Sequence, residues 1–213
     1  MFARTGLFTA ITEGQAWTIP AHRALCIPAG TRVRIETARR VGIRCLYIDK
    51  GLDVLANEVR VVNLTPLTRE LMAHAVSTAP LGLETPAEEA VITLLATRLA
   101  DEPDAPLHLA LPTDPVAKEV AASIMSDPAV DLEHQLRAAN ASRRTVERRF
   151  KSETLMSLGQ WRRRARILAA VTMLAQGDSV IRAAVTVGYA SPSSFVSAFR
   201  AELGSPPREF MQG

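Results

Sequence analysis

The sequence contains no run of about twenty apolar residues, which is the length that a membrane-spanning helix needs. Its first residues also lack the basic and then apolar order of an export signal. It has two cysteines, Cys26 and Cys45, each in an apolar, strand-like run. We expect them to be buried free thiols rather than a redox pair. Together these absences predict a cytoplasmic protein with no membrane partner.

The residue patterns of common enzyme and metal sites are absent as well. The four histidines, His22, His74, His108 and His134, are widely separated and fall in different predicted elements, whereas a metal site needs several ligands that converge on one ion. No Ser/His/Asp set has a meaningful spacing, and no glycine-rich loop could hold a phosphate. We therefore expect no catalytic residues, no metal, no cofactor and no enzymatic activity.

Positive charge is present and is concentrated in one segment. Residues 137–166 contain ten Lys and Arg against two Asp and Glu, although the net charge of the whole chain is only +3. Residues 1–113 have a net charge of −1, and residues 114–213 have a net charge of +4. A local excess of this size is typical of a surface that binds nucleic acid.

The change in charge, with prolines clustered near residues 103–115, predicts two domains, 1–110 and 111–213. In the first domain, alternating apolar residues predict strands over 32–36, 44–48 and 58–64, which suggests a small antiparallel β unit. Two helices follow, with Thr65 and Thr85 as N-caps and a proline after each. An apolar stripe on the second helix consists of Val91, Leu94, Leu95 and Leu99. The stripe either packs on the β unit or forms a dimer contact.

The second domain reads as helices throughout. Asp114 caps a first helix, and Asn140 stands at a tight turn before a short basic helix that Ser142 caps. Val146 and Phe150 share one face of this basic helix, and the charged residues occupy the other. A helix, a turn and an amphipathic basic helix form a helix-turn-helix.

The same arrangement occurs a second time, about 45 residues further on. Gly188 supplies the turn, and Ser191 caps a helix with Phe195 and Phe199 on one face. A long helix over residues 158–176 joins the two units, and we expect its Trp161 to be a core residue. The fold class is therefore α+β, with an all-α domain of two helix-turn-helix units after the β unit.

Residues 131–210 resemble the DNA-binding domain of the AraC/XylS family of bacterial transcription regulators. The motifs are S-x-x-T-V-x-R-x-F-K-x-E-T from Ser142, QWRRRARILAA from Gln160 and GYASPSSFVSAFRAELGSPPREF from Gly188. Leu155 departs from the family pattern, because a glycine is usual there. Residues 17–30 (W-x-I-P-x-H-R-A-L-C-I-P-A-G) resemble the cupin-like regulatory domain of the same family. The resemblance implies a shortened cupin-like domain over residues 1–110.

The resemblance also implies which residues contact DNA. Recognition helices are expected at about 142–152 and 191–203, in successive major grooves. The residues expected to face bases are Arg144, Glu147, Arg148, Ser193, Ser194 and Ser197. Those expected to contact phosphates are Ser142, Arg143, Lys151, Arg162, Arg163, Arg164 and Ser191. Glu147 either accepts from cytosine N4 or pairs with an arginine four residues away.

The sequence thus predicts a sequence-specific, DNA-binding transcription regulator whose partner is double-stranded DNA. RNA polymerase, a small-molecule effector and a second copy bound through the N-terminal helices are open as further partners. The alternative function is a ligand-sensing cupin-type protein, or an antagonist of a partner's dimerisation, in which DNA binding is secondary.

Overall fold

The computed structural model of the protein describes residues 1–49, 58–78, 80–82 and 84–212. The strands within these residues are β1 (Phe2–Ala3), β2 (Leu7–Thr12), β3 (Gln15–Pro20), β4 (Arg23–Cys26), β5 (Arg34–Glu36), β6 (Ile43–Arg44), β7 (Arg60–Asn63) and β8 (His108–Ala110). The helices are α1 (Pro66–Thr78), α2 (Pro86–Asp101), α3 (Pro115–Ser126), α4 (Leu132–Ala138), α5 (Arg143–Thr154), α6 (Leu158–Ala175), α7 (Val180–Thr186), α8 (Pro192–Leu203) and α9 (Pro207–Gln212). This order confirms the predicted α+β class.

The strands form two antiparallel sheets of four strands each, with the orders β6-β1-β4-β7 and β5-β2-β3-β8. Strands β2 and β3 form a hairpin in which Thr12 pairs with Gln15. Gly14 lies in its turn with a φ of 74°, a conformation that glycine adopts without strain. In the second sheet, β3 lies between β2 and the edge strand β8.

Strand β8 forms the carboxyl end of the predicted first domain, in the proline-rich stretch that marks the predicted boundary. Its His108 pairs with Trp17 of β3, and its Ala110 pairs with Gln15. A strand of three residues near several prolines shows too little alternation to be detected from the sequence. The predicted division between residues 110 and 111 stays a prediction, because apolar packing continues across it from β3 and β8 to α6.

Among the described residues, two hydrophobic clusters hold the elements together. The first joins the sheet that contains β1 to helices α1 and α2, through buried residues such as Phe2, Val62 and Met72. The second extends from the sheet that contains β3 into the helical region, where it includes Trp161 and Phe199. The β region and the helices therefore share apolar core, which stabilises them jointly.

The apolar stripe on α2 is only partly buried. Leu95 and Leu99 are buried in the first cluster, so this part of the stripe packs on the β region. The side chain of Leu94 is 43% exposed, and Leu67 of α1 is 53% exposed. Both leucines are therefore exposed to solvent, outside the first cluster.

Several sequence expectations need correction in detail. Cys26 is a buried free thiol, as predicted, but Cys45 is free and exposed, because the strand predicted over 44–48 ends at Arg44. The strand predicted over 32–36 covers Arg34–Glu36, and the one predicted over 58–64 covers Arg60–Asn63.

No helix among the described residues is long and apolar enough to cross a membrane. The described residues also contain no group of three or more His, Cys, Asp or Glu that could hold a metal.

Candidate nucleic-acid interface

Helix α5 begins and ends at residues that the sequence makes suitable for those positions. Asn140 adopts a φ of 47° at the turn before it, a conformation that asparagine tolerates better than most residues. The Ser142 hydroxyl accepts a hydrogen bond from the Thr145 backbone N–H at 3.2 Å, which satisfies a free donor of the first turn. Leu155 ends the helix with a φ of 60°. The sequence predicted that α5 begins after Ser142. Leu155 has a backbone conformation that favours glycine, at the position where the family usually has a glycine.

The two faces of α5 differ completely in burial. Val146 and Phe150 are fully buried, and the Phe150 ring meets Trp161 of α6 edge-on at 5.2 Å between centroids. The opposite face contains Arg144, Glu147, Arg148 and Lys151, all of which are exposed. The helix therefore presents a mainly cationic face to solvent from a fixed apolar base.

Arg143 has partners within the protein. Its guanidinium Nε donates to Glu147 at 2.9 Å, and its Nη1 donates to Glu133 of α4 at 3.1 Å. The hydrogen bond to Glu147 and its charge, followed by those of Glu133, raise the pKa of Arg143. Glu147 thus pairs with an arginine four residues away, which is one of the two roles predicted for it.

Two further side chains connect α5 to the chain before α3, and the sequence alone did not reveal them. Arg149 pairs with the Asp114 carboxylate, which also caps α3 by accepting from the Val116 and Ala117 N–H groups. Glu153 accepts from the Thr113 backbone N–H at 2.6 Å and from that of Asp114 at 3.1 Å. The sequence shows that Arg149 and Glu153 lie four residues apart on the basic helix. Their partners lie 35 or more residues away along the chain, so the sequence does not reveal the contacts.

Helix α8 begins at a capping serine and packs on buried aromatic rings. The Ser191 hydroxyl accepts from the Ser194 N–H at 3.2 Å. The Phe195 and Phe199 rings are fully buried and meet at 5.6 Å, and Phe199 also contacts Phe210 of α9 at 5.5 Å. The predicted base-facing serines Ser193, Ser194 and Ser197 are all exposed. The first half of the solvent-facing side of α8 therefore offers short hydroxyls in place of the long charged groups of α5, and the exposed Arg200 lies in its last turn.

Helix α6 joins the two units, as predicted, and a close approach at Gly188 fixes the second unit against it. Gly188 has a φ of 85°, and a Cβ there would lie 2.9 Å from the Ala129 Cα and from Arg166 Nη2. The Arg166 guanidinium donates to the Pro128 carbonyl at 2.8 Å and to that of Gly188 at 3.3 Å. A larger residue at position 188 would disturb both the turn and this bridge.

The three consecutive arginines of α6 differ in their surroundings. Arg163 is exposed. Arg162 is partly buried and donates to the Val130 carbonyl. Arg164 donates to the carbonyls of His108 at 2.8 Å and Pro106 at 3.0 Å. Burial lowers the pKa of both Arg162 and Arg164. Of the three, only Arg163 is free to reach a phosphate without giving up contacts inside the protein.

Comparison with known proteins identifies the carboxyl-terminal part of the chain. The family profile described as "Helix-turn-helix domain" matches residues 136–213. Residues 136–213 are a helix-turn-helix domain of the AraC type. This AraC-type domain contains α5, α6, α7, α8 and α9.

Two curated relatives have the same kind of name. The HTH-type transcriptional regulator NimR of Escherichia coli (strain K12) is 24% identical over 213 residues, which cover 99% of this chain and 78% of that protein. The HTH-type transcriptional regulator RipA of Corynebacterium glutamicum is 35% identical over 105 residues, or 48% of this chain and 32% of the relative. Among solved structures, the DNA-binding domain of AdpA in complex with a target DNA is 36% identical, with a TM-score of 0.42. The match covers 47% of the present chain and 92% of the AdpA chain.

Proposed function

We propose that the protein is a sequence-specific transcription regulator that binds double-stranded DNA with α5 and α8 in successive major grooves. The observation that supports it most is the outer face of α5. Arg144, Arg148 and Lys151 are exposed there, opposite the fully buried Val146 and Phe150. An α-helix fits the major groove, and exposed cations on its outer face match the charge of the DNA backbone. A regulator of this kind acts on the chromosome, in the cytoplasm.

We assign base reading mainly to α5. An arginine can donate to guanine O6 and N7 together, so Arg144 and Arg148 are the proposed guanine contacts. Glu147 is oriented by Arg143 at 2.9 Å and could accept from a cytosine N4 group. The α8 side chains proposed to face bases, Ser193, Ser194 and Ser197, are exposed but short. A lone hydroxyl discriminates between bases less than a guanidinium does, because it makes single rather than paired hydrogen bonds.

We assign backbone contacts to exposed groups that surround the two helices. Ser142, Lys151, Arg163 and Ser191 are all exposed. Arg143 remains in this set, although Glu133 and Glu147 offset its charge. Lys151 also remains, because it is exposed, although its Nζ donates to the Leu155 carbonyl at 3.0 Å. Arg162 and Arg164 are left out of the proposal, because they are partly buried and their guanidinium groups donate to backbone carbonyls of the protein.

We also propose a site for a small-molecule effector in the amino-terminal region. A cleft of about 960 Å³ is lined by residues that include Trp17, Arg60 and His108. The rings of Trp17 and His108 lie 5.1 Å apart in its wall, at an angle of 42°, and aromatic side chains are typical of the lining of small-molecule sites. Tryptophan fluorescence during titration with small aromatic compounds tests this site. A response that survives Trp17→Phe unchanged would argue against it.

Contacts with other proteins are a further part of the proposal. The exposed Leu67 and Leu94 on α1 and α2 are the side chains that we propose for a homodimer. Light scattering on the wild-type protein and on Leu94→Asp measures this directly, and a monomer in both cases contradicts it. RNA polymerase is the partner that transcription activation would require.

Selection of binding sites from a random DNA pool at one stated salt concentration tests the main proposal. We expect a motif with two unlike halves about ten base pairs apart, because the two recognition helices differ in sequence. Arg148→Ala is the matched variant, and it should lose preference in one half only. Recovery of pools with no shared motif would contradict sequence-specific binding.

A further inference from the structure

Arg164 contacts two parts of the protein that the sequence keeps far apart. It lies on α6, and its side chain is only 16% exposed. Its Nε and Nη2 groups donate to the carbonyls of His108 and Pro106, in and just before strand β8. Its Nη1 lies 3.7 Å from the Glu202 carboxylate, in the last turn of α8. One guanidinium therefore connects the β sheet to the second recognition helix.

The position of Glu202 would be unfavourable without this partner. A carboxylate near the C-terminal end of a helix opposes the helix dipole. Glu202 lies two residues before Gly204, which ends α8, and its side chain is only 19% exposed. Arg164 supplies the positive charge that offsets both the dipole and the loss of water at this carboxylate. The carboxyl end of α8 is thereby held at a fixed distance from β8.

A second contact reaches the same helical unit from another strand. Arg23 of β4 is buried, and burial lowers its pKa to about 10. It donates to the Phe210 carbonyl at 3.2 Å and lies 4.7 Å from the centre of the Phe210 ring. That ring packs on Phe199 of α8. Both arginine contacts between the β sheets and the helical region therefore lead to α8.

The β8 end of the connection faces the cleft described above. The His108 carbonyl accepts from Arg164, while the His108 ring lies in the wall of the cleft beside Trp17. Trp161 of α6 also donates, through its indole Nε1, to the Ala110 carbonyl at 2.6 Å. A movement of β8 would thus change hydrogen bonds that hold α6 and, through Arg164, the end of α8.

We infer that Arg164 is a positioning residue that sets α8 against β8, so that the state of the β sheet governs how strongly the second half of the DNA site is read. The inference rests on the proposed DNA-binding function. It assigns to Arg164 a role distinct from the phosphate contact that its place in a run of arginines suggests. It also makes the cleft beside His108 the point at which α8 can be controlled.

The test compares Arg164→Ala with Arg163→Ala, its exposed neighbour. Affinity is measured for the selected DNA site and for two versions in which either half is scrambled, at several salt concentrations. For Arg164→Ala we expect the preference for the intact second half to fall about tenfold, because α8 loses its ion pair with Arg164 and, with the two hydrogen bonds to β8, its connection to the β sheet. The preference for the first half should not change. For Arg163→Ala we expect equal weakening on all three DNAs and a salt slope reduced by about 1.

Two milder variants and a measurement without DNA complete the test. Glu202→Gln keeps the shape of the side chain and should weaken second-half reading in the same direction but less, and Arg164→Lys should restore part of the loss. In the free full-length protein, hydrogen exchange should become faster in α8 of the Arg164→Ala variant and remain unchanged in α5.

Arg164→Ala behaving as Arg163→Ala does, or leaving both second-half reading and α8 exchange unchanged, would overturn the inference. Absence of any selected motif with the wild-type protein would instead contradict the proposed function. In that case, the exchange measurement alone still decides whether Arg164 positions α8.

Discussion

The two helix-turn-helix units share a backbone plan but present different chemistry. Each recognition helix begins at a serine cap, buries aromatic residues against the rest of its unit and ends in a left-handed residue. The outer face of α5 contains Arg144, Glu147 and Arg148, whereas that of α8 contains mainly serines. The two helices are therefore suited to different tasks on one DNA site. On the proposed function, strong base reading would fall to α5, and α8 would add a second contact whose strength depends on its position.

The units also differ in how they are supported. Beneath α5, Phe150 contacts one other ring, that of Trp161. Beneath α8, the rings of Tyr189, Phe195, Phe199 and Phe210 form a continuous series of edge-on contacts. The first unit is instead connected by charged groups, Arg149 and Glu153, to the chain at residues 113–114. Aromatic packing therefore contributes more beneath α8 than beneath α5, although each unit also has polar contacts with distant segments of the chain.

The largest expected effect, on the free energy of unfolding, comes from removing a buried aromatic ring beneath α5 or beneath α8. Phe199→Ala and Phe150→Ala should each lower the free energy of unfolding by about 3–5 kcal/mol, because each leaves a cavity among fully buried residues. The loss at Phe199 should be greater by about 0.5–1.5 kcal/mol, since Phe199 contacts two rings and Phe150 contacts one. Urea unfolding measures both, with the exposed Ser197→Ala as control. A greater loss at Phe150 would reverse the comparison.

The second-largest effect should be a difference between the two units in how much their exposed side chains contribute to DNA affinity. Arg148→Ala should weaken binding to the selected DNA at least about tenfold, since a paired contact with guanine is worth about 1–3 kcal/mol. Ser197→Ala on α8 should weaken it less than about fivefold, because a single neutral hydrogen bond contributes less. Gel-shift titration at one fixed salt concentration measures both variants. Equal effects would mean that α8 reads bases as strongly as α5.

The sequence was sufficient to predict both recognition helices, because their signals are local. Ser142 and Ser191 are capping residues, and Phe150 and Phe199 repeat the apolar spacing that marks a buried helix face. The outward positions of Arg144 and Arg148 follow from that spacing alone. Periodicity within one helix determines which side is buried and needs no knowledge of the partner.

Contacts between distant segments could not be predicted in this way. Arg163 and Arg164 are neighbours of the same type, yet one is exposed and the other donates to carbonyls 56 and 58 residues away. Backbone carbonyls leave no signature in a sequence, so nothing marks Arg164 as occupied. Strand β8 was missed for a related reason, since its three residues form a strand only because β3 lies beside them.

The ends of the two recognition helices provide a third comparison, with effects near 1 kcal/mol. Leu155 and Gly204 both have positive φ values, 60° and 85°, and such a conformation costs a non-glycine residue about 1–2 kcal/mol. Leu155→Gly should therefore raise the free energy of unfolding by about 0.5–1 kcal/mol, after the greater freedom of glycine in the unfolded chain is subtracted. Gly204→Ala should lower it by about 1 kcal/mol, because nothing lies within 4 Å of the added Cβ and only the backbone is strained. Thermal unfolding checks both signs, and a destabilised Leu155→Gly would show that the 79% exposed leucine contributes packing.

The smallest expected effect concerns His108, which links the cleft to the second unit through Arg164. Burial, with the positive charge of Arg164 as a smaller cause, lowers the pKa of His108. The unfolded chain therefore takes up a proton at its ordinary pKa of about 6.5, before the folded protein does, so the free energy of unfolding falls as the pH drops below about 6.5. The fall should level off below the pKa of the folded protein. After allowance for partial exposure to solvent, it should stay below about 1 kcal/mol.

The variant His108→Gln should remove this part of the pH dependence, whereas His74→Gln, at an exposed position on α1, should leave it in place. Urea unfolding between pH 7.5 and 5 measures the difference, in a range above that in which Asp114 and Glu153 gain protons. Both carboxyl groups have a lowered pKa, chiefly because they accept hydrogen bonds from backbone N–H groups. Identical pH profiles for the two histidine variants would mean that the contact between His108 and Arg164 does not depend on the charge of the imidazole. The link from the β sheet to α8 would then act through the backbone carbonyl alone.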